Sequence, residues 1–188
     1  MELERDHRAR SFWDTGLISR QEGFEDYAGY LATIPEPPEI NGLSSELRLV
    51  LVDPRVDLER MCREGTAGFS ASSLKDCHHE DIREPNDRPY WILVELVENP
   101  DGQLIRETIR KQEGLRRGCI LMEGLAFRVQ LKAEVKPLPL VLYASRFYGP
   151  PADRHFCAAL NPNKQFVPIC TDARISAFVA VVGRRVCT

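Results

Sequence analysis

The sequence predicts an α+β fold in a single domain, with about five mostly antiparallel strands and helices concentrated in the first two-thirds. Three observations carry this. Short apolar runs alternate with turn signals, most densely from about residue 90 onward. Apolar residues at helical spacing occur only before about residue 131. A length of 188 residues, with 43% hydrophobic and 28% charged residues, suits one ordinary core.

The first helix is expected over residues 2–14, highly charged and anchored by Phe12 and Trp13. A second is expected from Ser19 and Glu22, which have capping-box spacing. Its apolar stripe would be Phe24, Tyr27, Ala28 and Leu31, and Pro35, Pro37 and Pro38 would stop it. Residues 47–52, LRLVLV, read as a central or well-covered strand. Asp53 and Pro54 then suit the cap and first turn of a helix over 55–64. Residues 65–89 read as a long irregular connection, with room for a short helix from Ser73 to His79.

Residues 90–98, YWILVELVE, are the second strong strand, and Asn99-Pro100-Asp101-Gly102 is a turn. Helices are expected over 104–116 and 123–131; residues 140–145 suit either a strand or a helix, and their length favours a strand. The last third reads as a meander of 155–160, 165–170 and 175–182. Pro168 marks the middle of these three as an edge strand or a bulged one.

No apolar run reaches the roughly 18 residues of a membrane span. The charged opening MELERDHRARS lacks the apolar stretch of a secretory signal, so cytoplasmic residence is expected. The six cysteines form no C-x-x-C pair and five lie in or beside apolar segments, which predicts reduced thiols used as core filler. Residues 1–100 hold 11 Lys and Arg against 21 Asp and Glu, whereas residues 101–188 hold 14 against 7. A basic half can attract nucleic acid, and the alternative is mutual neutralisation by the acidic half.

Cys77-His78-His79-Glu80-Asp81 gathers thiol, imidazole and carboxylate, the types that bind zinc-like ions. Neighbouring side chains diverge, so a metal site would draw His78 and His79 together with His155 and Cys157. Cys77, His78, His79 and Glu123 are the candidates for thiol, acid–base or metal-assisted catalysis. Arg146, Asp153, Arg154, Asp172 and Arg174 sit in or beside turns of the C-terminal strands and form a candidate rim for a small anionic ligand. The alternative for each set is a solvated loop with surface ion pairs. The turn VDPRVD lacks the glycines of a phosphate cradle, which disfavours P-loop and Rossmann readings, so no cofactor is assigned.

Several segments together carry a resemblance: YWILVELVE, then EGLA at 123–126, Ser145-Arg146, Asp153-Arg154 before an apolar strand, and GRR at 183–185. Over about residues 90–185 the chain resembles a family of bacterial proteins whose function is uncharacterised. It departs from that pattern in ISAFVAVV, where Trp and Cys are expected. The resemblance implies an order of elements but no activity. Three functions are therefore carried forward: a non-catalytic binding or interaction protein for a small polar or anionic ligand; an enzyme with a Cys/His site; and a nucleic-acid-associated protein using the basic half.

Overall fold

A computed structural model describes residues 2–18, 23–40, 47–65, 78–81, 87–112, 116–131, 139–148, 156–160, 166–174 and 177–182. The fold is α+β: among the described residues five helices precede or interrupt one mixed sheet, and these helices lie before residue 131. The helices are α1 (Glu2–Trp13), α2 (Tyr27–Ala32), α3 (Leu58–Gly65), α4 (Ile105–Gln112) and α5 (Leu121–Gln130). The strands are β1 (Arg48–Val52), β2 (His78–Asp81), β3 (Tyr90–Asn99), β4 (Arg117–Gly118), β5 (Leu140–Tyr148), β6 (Phe156–Leu160), β7 (Phe166–Cys170) and β8 (Ala177–Val182).

The sheet runs β1-β3-β8-β5-β6-β7, with β2 added on β5 and β4 on β8. All described pairs are antiparallel except β5 with β8. The alternation of β8 explains its wholly apolar sequence. Phe178, Ala180 and Val182 enter a large core with α1, α2, α3 and α5. Ala177, Val179 and Val181 enter a smaller one with Ile105 and Ile109 of α4. A strand buried on both faces has no solvent side to carry polar residues.

Two helix starts differ from the sequence expectation. Helix α2 begins at Tyr27, where the Asp26 carboxylate accepts from the Gly29 N–H at 2.8 Å. Ser19 and Glu22 lie outside the described residues. Ala28 is exposed, and the buried member of this helix is Tyr30. Helix α3 begins at Leu58, three residues late, because Asp57 caps it by accepting from the Arg60 N–H at 2.9 Å. Asp53 is diverted to another task, described below. His78 and His79 stand in a strand, not in a helix reaching from Ser73.

Strand β1 stands at the end of the sheet's path, so of the two readings it is the well-covered strand, with Val50, Leu51 and Val52 fully buried, and not a central one. Its open side is covered by a side chain. The Leu51 N–H donates to Gln130 Oε1 at 3.0 Å, and Gln130 Nε2 donates to the Leu51 carbonyl at 2.6 Å. One carboxamide at the end of α5 thus supplies the donor and acceptor that a neighbouring strand would bring. β7 is the strand at the other end of the path, as Pro168 indicated. Among the described residues no helix is long and apolar enough to cross a membrane.

Candidate functional site

The pairing of β1 with β3 sets Val52 opposite Tyr90. The chain leaving β1 therefore runs beside the chain entering β3. That register brings Asp53-Pro54-Arg55 next to Asp87-Arg88-Pro89. The end of α2 closes the third side, and Trp91 fixes it by donating from Nε1 to the Pro35 carbonyl at 2.9 Å. Between these segments lies a cleft of about 360 Å³, with Thr33, Arg55, Asp87 and Arg88 as its polar lining and Ile34 and the two prolines among its apolar walls.

Arg55 is the best-anchored group in the cleft. Asp53 is fully buried and accepts from Arg55 Nε at 2.8 Å and Nη2 at 2.7 Å. It also accepts the Arg55 backbone N–H at 3.1 Å and the Tyr30 hydroxyl at 3.1 Å. Arg55 Nη1 donates to Thr33 Oγ1 at 2.9 Å. The guanidinium lies 5.0 Å from the Phe24 ring centre and 5.5 Å from that of Tyr30, within cation–π range. Burial opposes its charge, but the hydrogen bonds and charge of Asp53 win and its pKa is raised. Burial, then the Asp53 charge, pushes the Tyr30 phenol far up, so it is a neutral donor.

A second buried polar cluster braces the other end of α5. Glu123 is fully buried and accepts from Arg117 Nη1 and Nη2 at 2.6 Å each, from the Tyr90 hydroxyl at 3.1 Å, and from the Ile120 N–H at 3.0 Å. The next backbone donor, the Leu121 N–H, finds Ser145 Oγ of β5 at 2.6 Å. Glu123 thus ties β4, β3 and the start of α5 together, using both oxygens on protein donors.

The other residues singled out from the sequence do not gather into one site among the described residues. Cys77, Asp153, Arg154 and His155 lie outside the described residues. His78 and His79 pair with Tyr148 and Phe147 of β5, whereas Cys157 of β6 pairs with Arg146 on the far side of that strand. The strand β5 therefore separates the histidines from Cys157, by about two strand spacings of 4.8 Å. Among the described residues no three His, Cys, Asp or Glu side chains stand together as a metal site. Asp172 pairs with Arg106 at 2.8 Å on the surface, and Arg174 donates to the Gly102 carbonyl at 2.8 Å. In the basic stretch, Arg106, Arg116 and Arg117 are each paired with a carboxylate, of Asp172, Glu95 and Glu123. Only the Arg116–Glu95 pair joins the two halves of the chain; the other two pairs lie within the basic half.

The sequence reading missed Tyr30, Thr33, Arg55, Asp87 and Arg88. Asp53 was the available signal: a carboxylate directly after an apolar strand, followed within two residues by an arginine.

Buried thiols and phenols give the fold an alkaline limit. Burial raises Cys62 from 9.0 to about 12 and holds Cys119 well above 9.0. Burial, then the hydrogen bond to Asp6, raises Tyr27 from 10.0 to about 12. The unfolded chain releases these protons first, so the stabilisation is complete below pH 9.0 and is lost as pH rises toward about 12. Thermal melts are expected to show a level midpoint below pH 9.0 and a falling one above it. Cys62→Ala should flatten the fall; an unchanged slope would contradict the assignment.

Comparison with family models, with curated proteins and with solved structures finds no match for this chain.

Proposed function

We propose that this chain is a non-catalytic binding protein for a small polar ligand, held in the cleft between the end of α2, the Asp53–Arg55 turn and residues 87–89. The observation that carries the reading is the immobilised guanidinium of Arg55. Hydrogen bonds engage three of its five N–H groups, through Nε, Nη1 and Nη2. Two remain for a ligand, on a side chain with 27% of its surface exposed. A donor already fixed in place loses little freedom on binding, which favours affinity. Arg88 adds a second cation at the exposed rim.

The reading is tested by amide NMR on the isotope-labelled chain with a panel of small carboxylates, amines, amino acids and inorganic phosphate. At least one is expected to shift the amides of Thr33, Arg55 and Arg88. Arg55→Lys keeps the charge but loses the planar fork, and should weaken that ligand by about tenfold or more. No response from any member, or shifts confined elsewhere, would refute it.

A further inference from the structure

We infer that the ligand of this cleft is a zwitterion of amino-acid type, its carboxylate on the Arg55 and Arg88 side and its ammonium group toward Asp87. The inference rests on the binding reading above and narrows it. Four charged groups stand in or directly beneath the cleft: Arg55, Arg88, Asp87 and the buried Asp53. Two are cationic and two anionic, so the set carries no net charge. A phosphate dianion would enter a site where both arginines already have acidic neighbours, one bonded through two nitrogens and one adjacent in the chain. A simple carboxylate would satisfy the guanidinium while placing its charge near Asp87. A simple amine would do the reverse to the arginines. A molecule with both charges a short distance apart matches both signs at once.

Size and wall chemistry agree. Ligand pockets run from roughly 300 to 1,000 Å³, and a cleft of about 360 Å³ is at the small end. Ala32, Ile34, Pro35 and Pro89 line it with apolar surface. A compact head carrying two charges and a short aliphatic side chain fills such a space.

Isothermal titration of the full chain with leucine, isocaproate, isoamylamine and inorganic phosphate separates the possibilities. Isocaproate is the leucine skeleton without its amino group, and isoamylamine is that skeleton without its carboxylate. Leucine is expected to bind at least about tenfold more tightly than either singly charged analogue. Asp87→Asn should erase the advantage of leucine over isocaproate, weakening leucine and, by removing the repulsion of the lone carboxylate, strengthening isocaproate. Equal binding of leucine and one analogue, or binding of phosphate alone, overturns the zwitterion and leaves the cleft as a ligand site. Silence from all four overturns the zwitterion and counts against the binding reading as well.

Discussion

Glu123→Ala is expected to cost about 3–5 kcal/mol of folding stability, the range for removing one partner of a buried ion pair. The carboxylate has no exposed surface and takes four hydrogen bonds. Its loss strands the Ile120 N–H at the start of α5 and the Tyr90 hydroxyl at the start of β3. Arg117 is less affected, because 30% of its side chain reaches solvent and can rehydrate. Glu123→Gln keeps the volume and one acceptor, so its cost should be smaller. Arg117→Met leaves the fully buried carboxylate without its cation and should cost at least as much as Glu123→Ala, and the double variant less than the sum, because both remove the same contact. Denaturant unfolding measures all four. A loss below about 1 kcal/mol for Glu123→Ala, the typical worth of one ordinary hydrogen bond, would mean the cluster does not brace the fold.

Most of the sheet was legible in the sequence because its strands are buried in ways that composition records. AFVAVV in β8 is apolar at every position since both of its faces are covered. YWILVELVE in β3 and LVLYAS in β5 are bounded by prolines and turn residues that end them cleanly. Helix starts were harder, because several carboxylates and hydroxyls compete for one cap. Asp57 and Asp26 hold the caps that Asp53 and Ser19 were expected to hold, and local spacing carries no sign that Arg55 and the distant Tyr30 will claim Asp53. That β1 is the well-covered strand and not a central one was hidden for a related reason. Its neighbour on the open side is the carboxamide of Gln130, 79 residues away. The candidate cleft was invisible for the strongest reason: it exists only once Val52 has paired with Tyr90. No motif links residues 30–35, 53–55 and 87–89. The eye-catching run from Cys77 to Asp81, by contrast, is partly an ordinary added strand on β5.

Asp53→Ala should both destabilise the fold and disable the cleft, and these effects can be told apart. Removing the buried carboxylate leaves the Tyr30 hydroxyl without its acceptor in a buried setting, a penalty of about 1–3 kcal/mol. It also frees Arg55 from the two bonds that aim it. Because Arg55 is partly exposed, its charge can be rehydrated, so the total is expected nearer 3 than 5 kcal/mol on the scale of broken buried pairs. Tyr30→Phe removes only the hydroxyl and should cost about 1 kcal/mol, with Arg55 still clamped. Binding should follow a different order. Asp53→Ala and Arg55→Lys both lose the fixed fork and should weaken the ligand by about tenfold or more, whereas Tyr30→Phe should retain it. Measured below each variant's unfolding transition, parallel loss of binding and stability across all three would show that the clamp serves the core alone. Retention in Tyr30→Phe with loss in Asp53→Ala would show that the buried carboxylate works through the guanidinium it holds.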